Sequence, residues 1–125
     1  MEKFTKLYSD IIKLKNIKNV KNYENLVHTV FLKKLDVNLH NYKSRWGFFY
    51  QYNIKDLSEI KNYVNLKYQT LTYFGFEKQK LNKIVQENDF NGIDRIVPVG
   101  RSLDMDIIWD GYEINSFLTR TIEIR

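Results

Sequence analysis

The sequence predicts an α/β fold: two helices at the N-terminus, then a mostly parallel β-α-β-α-β unit closed by a C-terminal strand. Three observations lead there. Apolar residues recur at helical spacing near the start of the chain. From Trp46 onward, short runs rich in aromatics and Thr alternate with helical stripes. The segments joining those runs are about a dozen residues long, the length of a crossover between parallel neighbours. The helical segment covers residues 1–41 and the alternating segment residues 42–125, within a single domain of 125 residues.

In chain order, Phe4, Leu7, Tyr8, Ile11 and Ile12 form the i, i+3, i+4, i+7, i+8 stripe of an amphipathic helix. A three-residue echo follows, Lys15-Asn16-Ile17, Lys18-Asn19-Val20 and Lys21-Asn22-Tyr23. It is too short for a repeat architecture. Asn favours caps over helix interiors, so the echo reads as a connection between helices. Leu26, Val27, Val30, Phe31 and Leu35 make the second helical stripe, closing near Asp36.

Trp46 to Tyr52 is aromatic and reads as the first strand. Asp56 with Glu59 three residues on resembles a capping box, opening a helix that buries Leu57, Ile60, Tyr63 and Val64. Tyr68 to Phe76 is the second strand, and Glu77 to Glu87 a helix with Leu81, Ile84 and Val85 inward. Arg95 to Val99, an apolar run between Gly92 and Gly100, is the third strand. Tyr112 to Leu118 suggests a short helix, and Arg120 to Ile124 alternates as a final strand.

Composition narrows the function classes. Hydrophobic residues make up 43% of the chain and aromatics 15%, enough for a folded domain rather than a disordered one. With no Cys, disulfides, thiolate metal sites and a cysteine nucleophile are all excluded. That suits a reducing cytoplasm. No apolar run approaches the roughly 18 residues of a membrane span, and the N-terminus has no apolar core of a signal peptide. The net charge of +5 is uneven: residues 1–67 hold 13 Lys/Arg against 6 Asp/Glu, and residues 68–125 hold 7 against 9. The lysines are interleaved with Asn and apolar residues, which points to solvated faces more than to a polyanion site.

The densest cluster of Gly, Asp and Trp lies in the last third. Gly92-Ile93-Asp94-Arg95-Ile96-Val97-Pro98-Val99-Gly100, followed by Trp109-Asp110-Gly111-Tyr112, resembles the C-terminal end of the fatty acyl-CoA reductases. These are the reductase component of bacterial bioluminescence systems and its relatives, a branch of the aldehyde dehydrogenase superfamily. Upstream, Asp56-Leu57-Ser58-Glu59-Ile60, Asn65 and the run Lys67 to Phe76 resemble the same family in the same order, so the likeness spans about residues 42–125. The resemblance implies the closing part of an aldehyde-dehydrogenase-type catalytic domain. In that superfamily the last strand often joins a neighbouring subunit's sheet, a place that falls here to Thr119 to Ile124.

The family reduces a fatty acyl-CoA to an aldehyde with NADPH through a thioester on a catalytic cysteine. A thiolate is needed because it is nucleophilic at neutral pH and leaves readily. This chain has no Cys, and Gly47, Gly75, Gly92, Gly100 and Gly111 are too widely spaced for a dinucleotide-binding turn. A superfamily Glu that contacts the nicotinamide ribose has no counterpart in Tyr42-Lys43-Ser44-Arg45-Trp46-Gly47. The implied identity is a C-terminal fragment: a split subunit, a remnant of a broken frame or an excised domain. It is inactive alone, with no catalytic or cofactor-binding residue and no cofactor of its own. The implied partners are a complementary reductase portion, or further copies of the chain paired through a sheet edge. The alternative is a small basic nucleic-acid-binding or protein-interaction module. Nucleic acid is disfavoured because the aromatic strand Trp46 to Tyr52 carries no basic residue and lacks the RNA-recognition consensus.

Among individual residues, Trp109, Asp110 and Gly111 make either a loop near the acyl site or the subunit contact, or a structural turn. In the turn, Asp110 bonds its own backbone, Gly111 takes positive φ and a largely buried Trp109 packs beneath. Arg95 and Arg101 are candidate anion contacts, with Asp94, Asp104 and Asp106 at hand as local partners. Asp104, Asp106 and Asp110 lack the spacing of a calcium loop, so no metal is expected. His28 and His40 lie far apart with no partner at metal spacing, and His28 reads as a packing residue.

Overall fold

The computed structural model describes residues 2–42 and 47–125. The chain divides into two compact units, Met1–Tyr63 and Val64–Arg125. It is mixed α/β, with three α-helices, two short 3₁₀ helices and seven strands among the described residues. Its strands fall into three separate sheets.

The first unit opens with α1 (Glu2–Lys13). Its buried seam is not the expected stripe. Leu7 (1% exposed), Asp10 and, just past the helix, Leu14 are buried, while Tyr8 and Ile12 (80%) face solvent. The seam rotates because Asp10 can be buried with its charge answered. Its carboxylate accepts from Lys6 Nζ at 2.5 and 2.7 Å and from Tyr50 Oη at 2.6 Å. A buried carboxylate without such partners costs several kcal/mol.

The Lys-Asn echo is not a helix connection, and the stripe after it is not a helix. Residues 15–35 hold a β-hairpin, β1 (Ile17–Tyr23) antiparallel to β2 (Val27–Leu32), turning through Glu24 at φ 51°. Val30 stands opposite Val20 and Leu32 opposite Ile17. Burial along β2 alternates strictly, with His28, Val30 and Leu32 inside. Leu26, Val27, Val30 and Phe31 satisfy a helical period, but Val27, Thr29, Val30 and Phe31 are strand-favouring types. Long-range pairing decided between the two: β3 (Phe48–Gln51) runs parallel to β2, with Val30 beside Tyr50. Leu7, Val30 and Leu32 are the core, flanked by Ile11, Ile17 and Phe48. Trp46, expected in the strand, lies outside the described residues.

At Asp56 the side chain caps Ser58 N at 2.9 Å, as the sequence implied. The helix that follows, Leu57–Asn62, is 3₁₀ rather than α, and its apolar residues are only partly buried.

The second unit holds β4 (Gln69–Tyr73), α2 (Lys78–Glu87) and β5 (Ile93–Pro98). β4 and β5 are parallel, Leu71 beside Ile96 and Tyr73 beside Pro98, with α2 as the crossover. Gly92 enters β5 at φ +105°, where a Cβ would overlap the Asn65 carbonyl. Only glycine allows that close approach. Leu81 is buried on α2, while Val85, expected inward, is 40% exposed. β6 (Ile108–Trp109) and β7 (Tyr112–Glu113) form a small hairpin, followed by α3 (Ile114–Leu118).

Two expectations about the sheet change. The first aromatic strand does not share a sheet with the other two, because β3 bonds to β2 while β4 and β5 pair only with each other among the described residues. The first sheet is mixed, not parallel. Residues 119–125 form no strand, and their apolar side chains stand in solvent, Ile122 87% and Ile124 92% exposed. Alternation supplies a face for a strand, but a strand also needs a neighbour to bond its backbone.

Candidate functional site

Because β4 and β5 are parallel, their carboxyl ends lie on one side. There Tyr73 leads toward the start of α2, and Pro98 leads into a turn through Gly100. Ligands of open α/β sheets bind outside the carboxyl ends of the strands. An open cleft of about 800 Å³ lies here. Its charged lining is Lys78, Arg95, Arg101, Asp104 and Asp106; Val97, Met105 and Ile108 give it apolar wall.

The two arginines named from the sequence are engaged within the fold. The Arg95 guanidinium donates to Ser102 O at 3.2 Å and to Asp104 O at 2.8 Å, and lies 4.2 Å from the centre of the Trp109 ring. Arg101 donates to the Asp104 carboxylate. One strand residue thus holds both the loop after β5 and the hairpin after that. Such a stacked, hydrogen-bonded guanidinium suits Arg over Lys, because the planar group stacks and donates at once.

Asp110-Gly111, following Trp109 at the end of β6, is a two-residue hairpin turn. Asp110 at φ 50° and Gly111 at φ 79° both lie in the left-handed region, as a type I′ turn requires. Asp-Gly is among the pairs that tolerate it, so this turn was legible. Trp109 was expected to be largely buried; it is only partly buried, with the Arg95 guanidinium stacked on its ring. Asp94 approaches Gly111, and Asp106 Oδ1 accepts from the next backbone N–H, Ile107 N, at 2.7 Å. Asp104, Asp106 and Asp110 do not converge: among the described residues no group of three His or carboxylate side chains could hold a metal.

His28 is fully buried in the first unit, between the rings of Phe4 (5.3 Å) and Phe48 (5.0 Å). Its Nδ1 lies 2.9 Å from Asn22 Oδ1, which makes it a packing group hydrogen-bonded across the hairpin. His40 Nδ1 lies 3.2 Å from Val37 O. Of Tyr42 to Gly47, residues 43–46 lie outside the described residues.

Sequence reasoning missed two features. Lys78, Met105 and Ile108 join the cleft through the crossover and the late loop, and no local pattern signals that. Lys6 and Asp10 are an i, i+4 pair whose spacing was visible; Tyr50, 40 residues away, was not.

The fold and cleft define a small mixed α/β protein with a parallel strand pair and an arginine-clasped hairpin. The chain matches no protein-family model, no curated protein and no solved structure. No helix among the described residues is long and apolar enough to cross a membrane.

Proposed function

We propose that this chain is the C-terminal portion of a fatty acyl-CoA-reductase-type catalytic domain, cytoplasmic, and inactive alone. The observation that carries the reading is that the residues bearing the resemblance, Gly92 to Tyr112, fold as one locally closed element. Arg95 reaches the loop carbonyls and the Trp109 ring, and Asp110-Gly111 turns the hairpin. A motif whose members hold one another is what a structural contribution to a larger catalytic domain needs. The parallel β4-α2-β5 crossover is of the kind such a domain is built from.

In this reading the chain supplies scaffold and the chemistry lies elsewhere. Acyl transfer through a thioester needs a thiolate, and the chain has no Cys. The NADPH phosphates need a glycine-rich strand-to-helix turn, and the glycines are too scattered to build one. The partner is a complementary reductase portion, or another copy through a strand edge. A two-stranded parallel sheet with apolar side chains such as Leu103 (87%) and Ile122 (87%) in solvent supports that expectation.

The test is NADPH oxidation with a long-chain acyl-CoA. The chain alone should give none. Mixed with a cysteine-containing reductase portion that lacks this segment, it should associate and restore turnover. Turnover by the chain alone overturns the fragment reading; association and activity both failing in the mixture overturns the family reading.

A further inference from the structure

The outer face of the three-stranded sheet carries chemistry that the reductase reading does not use. α1 covers the inner face, where Leu7 meets Val30 and Leu32. The pairing register decides what stands on the other side. Lys21 is opposite Thr29, and Thr29 beside Phe49; Asn19 is opposite Phe31, and Phe31 beside Gln51. Directly paired residues share a face. Thr29 and Phe31 alternate with buried His28, Val30 and Leu32, so these rows point outward. Phe49 is 57% exposed and Tyr23, at the far end of β1, 58%. The Lys21 ammonium lies 5.5 Å from the centre of the Phe31 ring. Where the β1 register shifts between Ile17 and Asn19, Lys18 joins Phe31, Lys33 and Gln51 around an open cavity of about 250 Å³. No acid is among its described lining residues.

We propose that this face binds single-stranded nucleic acid without sequence selectivity, bases stacking on Phe49 and Tyr23 and phosphates meeting Lys18, Lys21 and Lys33. Exposed rings interleaved with lysines are the two elements of such a platform, since every base has a face to stack and every nucleotide a charge to neutralise. Charge favours the same occupant: residues 1–63 hold 12 Lys/Arg against 6 Asp/Glu. An acidic peptide would answer the lysines but leave the two exposed rings unused. In sequence the aromatic strand carries no basic residue. The sheet supplies them from its neighbours: β1 brings Lys21 into the row that Phe49 occupies, and Lys18 and Lys33 stand with Phe31 around the cavity.

The experiment is fluorescence anisotropy of a labelled oligo-dT of about 15 nucleotides, the upper range of one small site, titrated with the full chain over a salt series. Three lysines on phosphates predict a log–log salt slope near −2, at about −0.7 per phosphate. Lys21→Ala and Lys33→Ala should each flatten that slope by about 0.7. Phe49→Ala should weaken binding about tenfold with the slope unchanged. Lys80→Ala and Lys83→Ala, on exposed α2 positions, should change nothing; circular dichroism confirms that each variant is folded. No binding at low salt overturns the proposal, as does equal loss from the α2 lysines, which would mean diffuse attraction. Undiminished binding of Phe49→Ala, with a polyglutamate competitor as effective as the oligonucleotide, overturns it in favour of an acidic peptide. No arm of the experiment involves acyl-CoA or a reductase partner, so its failure is separate from failure of the reductase reading.

Discussion

The two units are nearly equal in length and divide their apolar side chains very differently. Residues 1–63 bury Leu7, Val30 and Leu32 between a helix and a three-stranded sheet, together with Leu14 just past the helix, the paired Asp10 and the ring-packed His28. Among the described residues of 64–125, Leu81 is the one buried apolar side chain, while Phe74, Leu103, Met105, Phe117, Ile122 and Ile124 are each more than 70% exposed. The first unit is held by burial. The second is held by local devices: a parallel strand pair, the Arg95 clasp and an Asp-Gly turn. Local devices fix conformation at single positions, but each is worth about 1 kcal/mol, against several for a filled core position. A unit with that balance folds as drawn most securely when something covers it, which agrees with the scaffold role proposed above.

The sharpest way to break this comparison is to remove core from each side. Leu7→Ala and Val30→Ala should each cost about 2–5 kcal/mol, and Leu103→Ala and Ile122→Ala less than about 0.5 kcal/mol. Residue-resolved amide exchange reads both units separately, and β2 amides should be the better protected than those of β4 and β5. Equal protection would remove the contrast.

Backbone geometry comes next. Gly92→Ala places a Cβ at φ +105° against the Asn65 carbonyl, so it should cost about 3 kcal/mol, the upper end for one strained residue. Amide exchange in β4 and β5 should rise while β2 stays protected; a silent substitution would show that the β5 entry is looser than its geometry. In the first unit, Tyr50→Phe removes only the hydroxyl bonded to the buried Asp10 carboxylate. It should cost about 1.5–3 kcal/mol, the range for a bond to a charged group, measured by urea unfolding.

The clasp tests whether local devices hold the second unit. Arg95→Gln forfeits the stack on Trp109 and the paired bonds to the loop carbonyls, a loss of about 1–2 kcal/mol, with a change in Trp109 emission as its environment opens. Arg101→Ala, which breaks an exposed pair with Asp104, should cost less than about 0.5 kcal/mol. If the two arginines proved equivalent, Arg95 would not be the residue that joins loop and hairpin.

The sequence by itself determined the features that rest on neighbours along the chain. Asp56 capping Ser58, the strand after Tyr68, the helix ending at Glu87 and the strand entered from Gly92 all follow from caps, turn residues and short-range periodicity. The Asp110-Gly111 turn is of the same kind, because a left-handed pair of residues restricts composition severely. What the tertiary structure decided are the points where two local readings were nearly equal. Residues 26–31 fit a helical stripe and a strand alike, and the bond row from β2 to β3, across about 20 residues, chose the strand. The helix seam turned toward Asp10 because Tyr50 arrives from 40 residues away. Arg95 had three aspartates nearby, yet it bonds two backbone carbonyls and a ring, since only the folded loop brings these within reach. The lysines of residues 18–33 look diffuse in sequence because a strand sorts its residues by a period of two, and which face meets a helix is known only once the sheet is packed.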